Sequence, residues 1–169
     1  VLNMRLAITT LGADANLHYA GRSVLDPSRR YYDGNSQGGI MGAVVAALSP
    51  DVRRFVLGVT GAPYVLLLPR SADFATLFDV LKVEFARPLD RIVLLSIFQL
   101  LWDRASPDGF MELLGAKRLP DTPPKQVLMH YGLGDAQVTW LGAQTLARSL
   151  GAAMFDRNVR ERNETLFGF

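Results

Sequence analysis

YYDGNSQGGIMGAVVAAL, residues 31–48, changes character within a few positions: two tyrosines, a glycine-rich turn, then small and apolar residues without interruption. Gly34-Asn35-Ser36-Gln37-Gly38 fits the pattern G-x-S-x-G. Before it, Arg29 to Asp33 is a short strand candidate, supported by Tyr31 and Tyr32. After it, a helix is expected from about Gln37 to Leu48, ending before Pro50 because the residue preceding a proline is pushed out of the helical region. A serine on a sharp strand-to-helix turn is held in a sparsely allowed conformation, and Gly34 and Gly38 are expected to let neighbouring backbones approach without Cβ clashes. The hydroxyl would then stand at a helix N-terminus, where free N–H groups and the helix dipole favour a developing oxyanion. Ser36 is therefore the candidate nucleophile, and the backbone N–H of Gln37 the candidate oxyanion donor. The competing reading is a tight turn in which Ser36 only caps the helix.

Upstream, residues 1–20 carry Met4, Ile8, Leu11 and Ala15 at helical spacing, which predicts an amphipathic helix with one buried face. Gly21, Asp26 and Pro27 place a turn over residues 21–28. Downstream, Arg54 to Gly61, RFVLGVTG, has the β-branched and apolar enrichment of a buried strand. Residues 62–118 differ: SADFATLFDVLKVEFA and PLDRIVLLSIFQLLWDRA are two long helix-period segments parted by Arg87-Pro88, followed by a shorter helical piece from Phe110 to Ala116. Phe74, Leu77, Phe78, Leu81 and Phe85 form one apolar stripe there; Ile92, Leu95, Phe98, Leu101 and Trp102 form another. Such stripes are more often ordinary core than substrate pocket, and a segment packed on itself can also line a cleft. Beyond the loop LPDTPP, Gln126 to Tyr131 reads as an apolar strand, 132–139 as a loop, Trp140 to Leu150 as a helix and Ala152 to Phe155 as a last strand. Strands alternating with helices predict an α/β fold with a mostly parallel, doubly wound sheet. The expected organisation is a core of residues 1–61 and 119–169 with a helical cap at 62–118.

Composition narrows the functional classes. The chain has 169 residues, 49% hydrophobic and 20% charged, which is the balance of a core-rich globular domain rather than a disordered segment. Its formal charge is only +2, and no Lys/Arg block exceeds two in a row, so nothing resembles a surface that tracks nucleic-acid phosphates. The absence of cysteine excludes disulfides and thiolate metal sites and leaves the compartment open. Ile92 to Trp102, the longest nearly uncharged apolar stretch, is too short to span a bilayer. Because Val1 leads directly into a helical pattern, further chain is expected upstream.

An acid is needed beside a nucleophile. VLMHYGLGDAQVT, residues 127–139, puts Asp135 in a loop just past the C-terminal end of an apolar strand, where ligands and catalytic groups of open parallel sheets gather. The plainer alternative is an aspartate in a glycine-rich turn. Asp103, inside the helical LWDRA, reads as a solvated helix residue, and Asp33 as at most a supporting group.

Residues 29–155 resemble the C-terminal half of an α/β-hydrolase: elbow strand, nucleophile helix, strand, helical cap, acid strand, helix, last strand. GNSQGG followed by Gly134-Asp135-x-Gln137-Val138 is similar to uncharacterised bacterial hydrolases of that superfamily. The resemblance implies Ser36 as nucleophile, Gln37 as oxyanion donor, Asp135 as acid, and a small-molecule ester or acyl substrate with no cofactor. It also implies a histidine after the last strand, and there is none from Asp156 to Phe169. The two histidines are His18, upstream of the serine, and His130, expected to be packed against the sheet. The strands that precede the elbow strand in that fold, with the second oxyanion donor, have no counterpart either. A sheet lacking them leaves the elbow strand at an edge. The expectation is a piece of a longer hydrolase, or one completed by a second chain; the alternative is a non-catalytic binding domain of the same architecture.

Overall fold

The computed structural model describes residues 1–154. Helices α1 (Leu2–Thr9) and α2 (Gln37–Leu48) flank a hairpin, β1 (His18–Tyr19) and β2 (Arg22–Ser23), and strand β3 (Tyr31–Asn35). Strand β4 (Arg54–Gly58) leads into helices α3 (Tyr64–Leu67), α4 (Ala75–Glu84), α5 (Pro88–Trp102) and α6 (Met111–Leu114). Strand β5 (Gln126–His130) and helix α7 (Trp140–Ser149) complete the described chain. β3, β4 and β5 form a parallel sheet in that order, so the fold is α/β with a parallel sheet as expected, and among the described residues β3 lies at an edge.

Among the described residues the sheet has one covered and one bare face, so the helices expected on both faces of a doubly wound sheet lie on one face only. Tyr32, Phe55, Leu57, Val127 and Met129 point towards α2, α6 and α7, and the main core forms there around Phe55, Leu57, Leu146 and the alanines of α2. Alternation then sends Tyr31, Asp33, Asn35, Leu128 and His130 to the opposite face, where all five are exposed. A shallow hollow of about 520 Å³ runs across this bare face between Tyr31, Val56 and Leu128.

After Gln37, α2 is uniformly small or apolar, and seven of its residues are buried. Gly39, Gly42, Ala43, Ala46 and Ala47 bring its backbone onto the sheet, and the turn at 107–110 with α6 covers its outer surface. It stops where expected: Ser49, before Pro50, leaves the helical region, and its hydroxyl accepts the Val52 N–H at 3.3 Å. Lys125 then reaches back to donate to the carbonyls of Ser49 and Val52 while lying over the Phe55 ring.

Three expectations need correction. The first helix ends at Thr9 instead of continuing to residue 20, and none of its residues is buried. The chain tightens into a 3-10 turn at Leu11–Ala13. Asp14, extended and accepting the Asn16 N–H at 2.9 Å, ends the helical run, as short polar side chains that bond locally do. The chain enters the β1–β2 hairpin instead, turned by Ala20 and Gly21, both at positive φ. Second, no strand forms at Ala152–Met154; Phe155 lies outside the described residues. Third, the two stripes in 62–118 are not core. Only Leu95 among them is buried; Leu77 and Ile92 are 58% and 60% exposed. The α4–α5 hairpin presents apolar side chains on its outer side, while residues 107–114 pack into the main core through Leu114. Among the described residues no helix is long and apolar enough to cross a membrane.

A polar knot fastens α5 to its neighbours. Gln99 accepts the Val65 N–H at 2.9 Å and donates to Asp103 and Asp108, and the buried Ser106 hydroxyl also donates to Asp108. Burial, then the hydrogen bond to Asp103, holds the Asp108 carboxyl above the ordinary range; hydrogen bonds from Asp108 and Gln99 hold Asp103 below it. The raised group contributes stability present below the unfolded value near 3.9 and lost as pH rises through its folded value, whereas the Asp103 contribution is lost only below about 3.9. As pH rises above about 4, therefore, the Asp108 contribution falls while that of Asp103 is retained. The urea midpoint should show this decline, and Asp108→Asn should flatten it. A variant with the wild-type pH slope would dissociate Asp108 from the effect.

Candidate active site

β3 and α2 meet at Ser36, which takes φ 55° and ψ −121°, outside every region open to ordinary L-residues. Both sides of the residue are fixed. Its N–H donates to the Gly58 carbonyl at 2.9 Å, carrying the β3–β4 pairing one residue past the strand, and its carbonyl accepts the Ile40 N–H at 2.9 Å. Such over-determination is what maintains a conformation costing on the order of 1–3 kcal/mol.

Glycines make the turn sterically feasible, though not the pair expected. A Cβ at Gly34 would come within 2.4 Å of the Gly38 carbonyl oxygen, so position 34 admits only glycine. At Gly38 the nearest atom to such a Cβ is 4.0 Å away, so its own space is open. The steric demand falls instead on Gly39, whose Cβ would stand 2.1 Å from the Gly58 carbonyl oxygen. Gly38 contributes its carbonyl, which accepts from the Tyr32 hydroxyl at 2.8 Å.

Gln37 is the first residue of α2, so its N–H has no intrahelical acceptor and stands beside Ser36. Its side-chain amide donates to the Tyr64 hydroxyl at 3.1 Å, and Tyr64 in turn packs on Trp102 of α5. Asp135 lies in the loop after β5, so it and Ser36 both follow the C-terminal ends of parallel strands, on the two outer strands of the sheet. One of its oxygens accepts the N–H groups of Gln137 and Val138 at 2.8 and 2.9 Å, so the carboxylate organises its own turn. That loop is joined to the start of the helical stretch: the Ala72 N–H donates to the Ala136 carbonyl at 2.8 Å, and Gln137 donates to Asp73 at 3.0 Å. Among the described residues the Ser36 hydroxyl makes no hydrogen bond, and Asp135 bonds neither histidine.

Strand register adds a group that the linear sequence does not single out. Asn35, Gly58 and His130 stand side by side across β3, β4 and β5. His130 is exposed on the bare face, its ring lying over Gly58 of the middle strand. Its Cε1 and Nε2 and the Asn35 Oδ1 each lie 2.6 Å from the point that a Cβ on Gly58 would occupy. Any other residue at 58 would drive the imidazole and the amide apart. The signal is a glycine in the register of His130, and it is readable only once pairing is known. His18 lies in the β1–β2 hairpin, which pairs with no other strand.

The backbone conformation of Ser36 has a measurable cost. Ser36→Gly removes the Cβ penalty but loosens the unfolded chain by about 0.4–1 kcal/mol, giving an expected net gain of about 1 kcal/mol in denaturant unfolding. Ser36→Ala keeps the Cβ and should be close to wild type. Equal stability of the glycine and alanine variants would argue against a strained turn.

Compared with known proteins, the chain matches no family model, no curated protein and no solved structure.

Proposed function

We propose that this chain carries the nucleophile of a serine hydrolase of α/β-hydrolase type, acting on small carboxylic esters through an acyl-enzyme. The observation that carries the reading is the backbone of Ser36: a non-glycine residue at φ 55° between a parallel strand and a helix N-terminus. In this reading the Ser36 oxygen attacks the acyl carbon, and the Gln37 N–H donates to the oxygen on which negative charge develops. Asp135 serves as the acid that orients the base. The α4–α5 hairpin, with its outward apolar side chains, is the part suited to contact an acyl group.

A fluorophosphonate probe tests the nucleophile directly. Wild-type protein should be labelled at Ser36, mapped by mass spectrometry of the modified peptide, and Ser36→Ala should lose labelling entirely. Equal labelling of the two proteins would end the assignment. Hydrolysis of p-nitrophenyl esters of increasing chain length then reports the acyl preference. The unbonded Ser36 hydroxyl favours a second reading, a non-catalytic binding domain of the same architecture, for which wild-type protein would remain unlabelled.

A further inference from the structure

The reading of Ser36 as a nucleophile leaves its base unassigned, and on that reading we infer that His130 takes the serine proton. Three groups converge on Gly58. Ser36 hangs from its carbonyl through the 2.9 Å N–H bond. The Asn35 amide and the His130 imidazole reach the space left by its missing side chain, each to within 2.6 Å of the same point. The imidazole thus leans from β5 across β4 towards β3, and its polar neighbour on β3 is the residue immediately before the serine. The His130 backbone is anchored, since its carbonyl accepts the Val59 N–H at 2.8 Å, whereas its ring nitrogens make no hydrogen bond among the described residues. A neutral imidazole without a partner has one nitrogen free to accept a proton. Catalytic hydrogen bonds commonly close only when substrate is bound, so the unbonded hydroxyl and ring are compatible with this role.

The step balances within the chain. As the bond between the Ser36 oxygen and the acyl carbon forms, the hydroxyl proton passes to His130 and the carbonyl electron pair moves onto oxygen, facing the Gln37 N–H. Collapse of that intermediate breaks the ester C–O bond, and the departing alkoxide takes the proton from the imidazolium. Water then repeats the sequence, its proton going to His130 and its oxygen to the acyl carbon, and Ser36 is released with its proton restored. The balance requires no further reactant.

The test is the rate of fluorophosphonate labelling of the full chain as wild type, Ser36→Ala, His130→Ala and His130→Gln. Both histidine variants should label on the order of 10²–10⁴ times more slowly than wild type, the usual worth of a general base. Added imidazole should restore much of the rate in His130→Ala and none in Ser36→Ala. Far-UV circular dichroism and the urea midpoint should stay at wild-type values, because His130 is exposed. Wild-type labelling rates in folded histidine variants, or a loss that imidazole does not restore, would overturn the role of His130 and leave Ser36 standing. Absence of labelling in the wild type would instead overturn the Ser36 reading itself.

Discussion

Gly39→Ala is expected to lower the unfolding free energy by about 3 kcal/mol, the upper end of the usual cost of overpacking. By propensity alone the change should help, since alanine is favoured over glycine in a helix interior by about 0.8–1.0 kcal/mol. The sign reverses because the added carbon would stand 2.1 Å from the Gly58 carbonyl oxygen, a backbone atom that has no rotamer through which to yield. Either α2 lifts from the sheet or β4 deforms, and both movements pass to Ser36, which is bonded to the same carbonyl. The urea midpoint should drop with little change in the denaturant slope, and probe labelling should fall with it. Gly38→Ala is the matched control. Its nearest neighbour would be 4.0 Å away, so helix propensity should decide, and stability should hold or rise. If both substitutions behaved alike, the close contact of α2 with β4 would not be what positions the turn.

Phe55→Ala should cost about 3–5 kcal/mol, the usual range for removing a fully buried aromatic side chain. Phe55 is 1% exposed on the covered face of the middle strand, and its ring meets Tyr32 at 5.4 Å between centroids. The Lys125 ammonium also lies 5.7 Å from the ring centre and fastens the end of α2 through the Ser49 carbonyl. Truncation therefore opens a cavity and removes the apolar wall against which that ammonium is held. Tyr31→Ala, on the neighbouring strand but on the bare face, should stay within about 0.5 kcal/mol of wild type. Urea unfolding of the two variants separates the faces of the sheet: similar losses would mean that the exposed face is covered in solution.

The elements legible in the sequence are those whose pattern is enforced by local chemistry. α2 runs from Gln37 to Leu48 as expected, because its alanines, its position after the turn and Pro50 all agree. β4 and β5 are visible as compact apolar runs bounded by polar or glycine residues. The end of the first helix is not, because apolar spacing at Met4, Ile8, Leu11 and Ala15 takes no account of the competing hydrogen bonds of Asp14. The exposure of the α4 and α5 stripes is equally hidden, because periodicity shows that one face is apolar without showing that anything covers it. At the site, Ser36 and the Gln37 N–H are local features, readable from adjacent residues. The Asn35–Gly58–His130 row is not, since its members are separated by long stretches of chain and meet only through strand register. Gly38 and Gly39 are indistinguishable as letters; only the direction in which each would point a side chain separates them.

The two bonds joining Ala72 to Ala136 and Gln137 to Asp73 have a mechanical consequence. They splice the residues leading into α4 to the loop that carries Asp135, so the hairpin and the carboxylate share one degree of freedom. A swing of the hairpin large enough to admit a bulky molecule must either drag Asp135 with it or break the splice. The Ala72 amide is the place to watch. Its hydrogen-exchange rate reports whether that loop and the hairpin part, and slow exchange would mean that they travel as a single lever.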